Sequence, residues 1–274
     1  MKTNKIIFSM VMLSIICIGV FAQNDVSYYV SNNGDIFNDG LSELTPLPDL
    51  NMALIKATQN NVHRIVVIGT LTRARVGLVG GLSSGIPNES GEIIITGKKD
   101  AADSEKAVLT AQNEGAALQI LNKVNIRFEN IKITEWTVFI HEGAHVTFGQ
   151  GSSVCNNSDF GIQVFGTCII DGGEVWGNLE TGIAVGSKGL LSLVSGAIRD
   201  NKSSTNCGGV AVLNGGKFIM SGGIITRNNA ANEAGGVGVS AGGRFDQTGG
   251  IINQNIAVRN PNIYRQQGSF GSNL

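Results

Sequence analysis

Four prolines, three tyrosines and two tryptophans in 274 residues leave this chain poor in stiff and aromatic side chains, and only 15% of it is charged. The 20 Lys and Arg face 21 Asp and Glu. That balance lacks the basic excess that grips a phosphate backbone, so no nucleic-acid partner is expected. Only one stretch, Ile6 to Phe21, is long and apolar. Nothing after it approaches the ~20 residues of a bilayer-spanning helix, so no transmembrane span is expected once it is removed. Glycine is the residue in excess: 38 of them, about twice the average usage. Each costs a helix interior ~1 kcal/mol relative to Ala, which excludes a helical bundle or coiled coil. The 42% apolar content excludes simple disorder.

Lys2 and Lys5 precede the apolar stretch, and Val20-Phe21-Ala22 closes it with small residues at the cleavage positions. Residues 1–22 therefore read as a secretory signal peptide cut after Ala22. Ser14-Ile15-Ile16-Cys17 lacks the small residue a lipoprotein box needs before Cys, so no lipid anchor is expected. Cys155, Cys168 and Cys207 remain, an odd number without a C-x-x-C pair. That spacing offers neither a zinc knuckle nor a thioredoxin-like motif, and the three read as core or turn residues.

The strongest signal is a repeat. Gly208-Gly209-Val210-Ala211-Val212-Leu213-Asn214-Gly215-Gly216-Lys217-Phe218 recurs as Gly235-Gly236-Val237-Gly238-Val239-Ser240-Ala241-Gly242-Gly243-Arg244-Phe245. Ser221-Gly222-Gly223-Ile224-Ile225-Thr226-Arg227-Asn228 likewise recurs from Thr248 to Asn255. Degenerate copies run upstream. A first strand opens each at Leu118, Val138, Ile162, Ile183, Val210 and Val237. A second follows at Val146, Cys168, Leu191, Phe218 and Phe245, and a third carries Val175, Ile198, Ile225 and Ile252. Period-two alternation puts those residues on one face. Asn178, Asn201, Asn228 and Asn255 each stand three residues after the third-strand apolar residue, with Asn156 read as the place one coil earlier. An Asn recurring once per repeat predicts a ladder of amides between coils.

Three short strands in each 20–27 residues describe a solenoid, stable only as several stacked turns at ~4.8 Å spacing. The pattern resembles the right-handed parallel β-helix (pectin-lyase-like) superfamily. More narrowly, Gly-Gly-Ile-Ile-x-x-Asn is similar to the repeats of bacterial surface β-helix proteins, a group that includes polymorphic outer-membrane proteins. The expected fold is all-β: a right-handed parallel β-helix of about six to seven coils with a short N-terminal capping helix. Residues 23–62 supply a strand, a loop and that helix, with Asp49 as N-cap after Pro48 and Leu50, Leu54 and Ala57 on one side. Residues 63–274 form the β-helix, clearest over 118–270, with Gly77 to Gly91 read as a loop excursion. Ile263 and Phe270 begin a further coil, and no helix follows to cap it.

Several motifs touch on chemistry. His141-Glu142-Gly143-Ala144-His145 matches H-E-x-x-H, which binds zinc only on a helix, whereas the repeat places it on an inter-strand turn. Gly81-Leu82-Ser83-Ser84-Gly85 matches G-x-S-x-G without the strand and helix a nucleophile elbow needs. Asn32, Asp35, Asn38 and Asp39 offer oxygens for Ca²⁺ but are equally turn formers. Gln119, Phe139, Gln163, Ala184, Ala211 and Gly238 point outward on the first strand; Thr147, Ile169, Ser192, Ile219 and Asp246 do so on the second. One carboxylate among them is too few for the acid–base pair of a glycan-cleaving enzyme. Glu174 and Asp171 with Arg199 are the best remaining group, and a solvated surface cluster is their plainest reading.

No residue is therefore assigned as catalytic, cofactor-binding or metal-binding, and no cofactor is expected. The reading favours a non-enzymatic bacterial protein exported to the periplasm, outer surface or medium. Its role is adhesion, envelope architecture or binding of an extended ligand such as a surface glycan or protein. Self-association through the uncapped C-terminal coil is a second expectation. The alternative is a β-helix polysaccharide lyase or glycoside hydrolase.

Overall fold

Alternating apolar residues and Gly-rich corners fold into three stacked parallel sheets. The structure is a computed structural model describing residues 26–72, 77–78, 91–98, 106–110, 117–121 and 124–273. The proposed leader and Gly81–Gly85 lie outside the described residues.

On the first face, Leu118, Val138, Ile162, Ile183, Val210, Val237 and Ile263 stand in one register, each strand parallel to the next. On the second, Ile126, Val146, Cys168, Leu191, Phe218 and Phe245 do the same. On the third, Leu71, Leu109, Ile133, Val154, Val175, Ile198, Ile225 and Ile252 align. Nearly all of these are fully buried and form one continuous core, with stacked ring pairs Phe128–Phe148 and Phe218–Phe245 inside it. The fold is a parallel β-helix with, among the described residues, a single short helix.

Leu50–Gln59 is that helix. Asp49 caps it by accepting from the Met52 backbone N–H at 2.8 Å, and Leu50, Ala53, Leu54 and Ala57 are buried. No helix among the described residues is long and apolar enough to cross a membrane.

The structure corrects three expectations. The solenoid is longer than six to seven coils: the second face carries nine described strands, from Tyr28–Val30 to Arg244–Gln247. The early coils lack the Gly-Gly and Asn marks, so their period does not show in the sequence. Gly77 to Gly91 is not wholly an excursion, because Gly77–Leu78 is a first-face strand paired with Gln119 and Ile120.

The third correction concerns the ladder, whose first member is Asn157 rather than Asn156. Asn157 donates its backbone N–H to Asn178 Oδ1 at 3.1 Å. Asn156 holds the preceding turn with φ 56°, a place taken in later coils by Gly177, Asp200, Arg227 and Gln254, all at positive φ. That left-handed turn residue swings the next side chain into the core. Asn178, Asn201 and Asn228 each receive a backbone N–H from the coil before and donate Nδ2 both to the next Asn and back to a strand carbonyl.

The 27-residue coils also carry a fourth ladder that the sequence pattern did not suggest. Lys202–Ser203 pairs with Asn229–Ala230, and Asn229 bridges to Ile256. The loop after Lys202–Ser203 covers part of the first face: a Cβ at Gly238 would lie 2.1 Å from Cys207 Sγ. Ala184 and Ala211, outward-pointing by alternation, are buried as well.

Candidate functional site

The third face bears two outward rows. Lys132, Ser153, Glu174 and Ala197 make one, and Thr134, Cys155, Trp176 and Arg199 the other. Successive residues in each row sit on neighbouring coils, ~4.8 Å apart. On the first row the large Lys132 and Glu174 flank the small Ser153; on the second, Trp176 and Arg199 follow the buried Cys155. The result is a groove of about 390 Å³ walled by Lys106, Lys132, Glu174, Trp176 and Arg199. Its floor is Gly151, Ser152, Ser153 and Gly172. Gly172 turns the corner from the second face at φ 94°, a conformation that favours glycine.

A belt of ion pairs crosses this corner. Arg127 donates Nε to Glu129 Oε1 at 2.8 Å and Nη2 to Asp171 Oδ2 at 3.3 Å. Asp171 also accepts from Ser195 Oγ at 3.0 Å. Arg199 joins Glu174 at 2.7 Å and Asp200 at 2.8 Å, and Asp200 takes two further bonds from Arg227. The Arg199 Cζ lies 5.2 Å from the centroid of the Trp176 ring, a cation–π contact. Hydrogen bonding from Arg227, opposed by burial and reinforced by Arg199, pulls the Asp200 carboxyl below its ordinary range. Burial works against the Arg199 charge, but its bonds to Asp200 and Glu174 outweigh that and raise its pKa.

Chemically, all four carboxylates of the belt are hydrogen-bonded to arginine. General acid catalysis at neutral pH needs a carboxyl pushed upward and aimed at substrate; Asp200 is displaced the other way. What the groove presents is positive charge beside an indole, an arrangement suited to holding an anionic ligand. The sequence had singled out Glu174, Asp171 and Arg199, and the structure brings them to one corner. Arg127, Glu129, Lys106, Lys132 and Trp176 were missed. Stepping one coil back from Val146 and two coils back from Val175 would have put Arg127 and Lys132 on the outward rows.

Elsewhere the motifs serve local structure. His141 to His145 spans a turn in which Gly143 has φ 81°, not a helix. His141 Nε2 bonds Gln119 Oε1, Glu142 pairs with Lys188 at 3.0 Å, and His145 is exposed at the strand position held by Lys217 and Arg244 in later coils. Asn32 bonds Thr72, Asp35 accepts from Phe37 N–H, Asn38 donates to Pro46 O, and Asp39 accepts from Leu41 N–H and Thr45. Each of the four thus holds a different neighbouring segment. Cys155 and Cys168 are buried and Cys207 partly so; burial raises all three thiol pKa values, that of Cys207 to about 11.

No family model matches the chain, and no curated protein matches it. Among solved structures, pectate lyase Pel9A is similar at 16% identity and a TM-score of 0.36, over 90% of this chain and 76% of that one.

Proposed function

We propose that this chain is an exported, non-catalytic bacterial β-helix protein that binds an extended anionic glycan along the corner groove. The observation that carries the reading is the groove wall itself. Lys132 and Arg199 stand there with Lys106 and Trp176, while the carboxylate that lines it among the described residues, Glu174, is bonded to Arg199. Cations select acidic sugars, and an indole offers an apolar face to a pyranose ring. The leader-like residues 1–22 support export, and placement at the cell surface or in the medium follows from such a ligand.

Affinity electrophoresis of residues 23–274 in gels containing polygalacturonate, alginate or neutral dextran tests the reading. Retardation by the acidic polymers alone, relieved by salt, is the expected result. Equal mobility in all three gels overturns it. Appearance of the unsaturated-uronate chromophore on incubation overturns the non-catalytic part and points to a lyase.

A further inference from the structure

The groove of the third face stops at a bar of ion pairs. Glu174, on the first outward row, accepts from Arg199 Nη2 at 2.7 Å. Arg199 stands on the second row of the following coil and donates Nη1 to Asp200 at 2.8 Å. Asp200, at the corner beyond, takes two bonds of 2.8 Å from Arg227 on the next coil. These four side chains cross both rows of the face. At the opposite corner Ser195 Oγ donates to Asp171 at 3.0 Å and ties the same two coils together. Among the described residues, nothing on the coils past Arg199 lines the groove. A ligand could continue along the rows only by breaking charge-assisted bonds.

The charge of the rows changes at the same place. Lys132 stands on the first row before the bar. After it, that row continues as Ile224 and Ile251, and the second as Thr226 and Asn253. Neither continuation carries a cation, and Arg227 at the corner has Nε and Nη2 on Asp200. An acidic chain laid there would shed water from its carboxylates with no opposite charge in exchange.

We infer, resting on the glycan reading above, that the groove seats the end of an acidic chain and not a stretch from its middle. The chain lies over Lys132 and its last residue abuts the Glu174–Arg199–Asp200 bar beside Trp176. Gly151, Ser152, Ser153 and Gly172 keep the floor low enough for the rings of the sugars that follow. An extended pyranose chain advances about one unit per ~4.8 Å coil, so roughly four units fill the coils from Lys106 to Glu174.

Isothermal titration of residues 23–274 with oligogalacturonates of increasing length, and with polygalacturonate, is the test. One protein should bind per glycan chain at every length, with affinity per chain rising up to about four units and then level. At equal total uronate the long polymer should therefore be the weaker ligand. Several proteins per long chain, their number growing with length, would overturn the end-seating and leave the glycan reading standing. No binding at any length would overturn the glycan reading, and the end-seating with it. The double variant Glu174→Ala, Asp200→Ala removes the bar's carboxylates and frees Arg199 and Arg227 for a passing chain. Long chains should then load more than one copy; a count still fixed at one in the folded variant would show that the bar does not set the limit.

Discussion

The guanidinium carbon of Arg265 sits 5.2 Å from the centroid of the Phe245 ring, capping a stack in which Phe245 lies 4.7 Å from Phe218. Its nitrogens donate to Phe245 O and Phe270 O, each at 2.8 Å, and to Asn273 Oδ1 at 2.6 Å. One side chain thus covers the end of an aromatic core and ties down the last backbone turn. Arg265→Ala should cost roughly 2 kcal/mol, from a partly desolvated cation–π contact and the loss of charged hydrogen bonds. Urea unfolding measures it. Arg265→Lys should recover little, since an ammonium cannot span three acceptors in one plane.

The Asn ladder predicts unequal costs at like positions. Asn201 is fully buried; its Oδ1 accepts from the Asn178 backbone and amide, and its Nδ2 donates to Val175 O and Asn228 Oδ1. Asn201→Ala strands several buried polar groups at once, for a loss of about 3 kcal/mol. The Asn157 side chain is equally buried but makes no hydrogen bond among the described residues. In the coil before, the place after the positive-φ residue Glu135 belongs to Trp136, whose Nε1 is likewise unpaired. Asn157→Ala should therefore cost less than half as much. Chemical denaturation of both variants decides it, and equal losses would show that the ladder bonds do not set the difference.

How legible was this in the sequence? Val210 and Val237 could be paired from the text alone, because their copies are offset by one constant period and share Gly-Gly on both sides. The register of every first-face strand from Leu118 onward followed. Asn156 and Asn157 are adjacent in one turn, and only φ tells which of them enters the ladder. The groove was half-read. Glu174 and Arg199 stand in coils whose repeat is clear, whereas Lys106, Lys132 and Arg127 belong to coils without Gly-Gly marks. A site assembled from side chains on five coils becomes visible only when every coil is in register.

Asp200 links stability to pH. Its carboxyl is held below the ordinary value of 3.8 by Arg227 and Arg199. A lowered folded-state pKa contributes stability above the unfolded-state value, lost as pH falls through the folded-state one. The unaltered protein should thus outlast Asp200→Asn near neutral pH, and the gap should close below pH ~4. The effect is modest, within the ~0–1 kcal/mol of exposed pairs, because Arg227 is half exposed. Melting temperatures of both proteins from acid to neutral pH would show it; a gap unchanged in acid would refute the linkage.

Glu174 separates binding from catalysis at the groove. Its carboxylate holds Arg199 at 2.7 Å and, among the described residues, is the negative charge beside Lys132 and Arg199 in the groove wall. Glu174→Gln keeps the shape and removes that charge, so Arg199 becomes more available to an acidic polymer. Polygalacturonate should bind several-fold tighter, while Lys132→Ala and Arg199→Ala should each weaken binding about tenfold, ~1.4 kcal/mol. Trp176→Ala should weaken it too, with little change in salt dependence, because the indole contributes contact and not charge. Isothermal titration at two salt concentrations gives all four values. Were Glu174→Gln to weaken binding instead, the carboxylate would be touching the ligand rather than competing for Arg199. The groove would then recognise a hydroxyl or a cation-bridged sugar, not a bare acidic one.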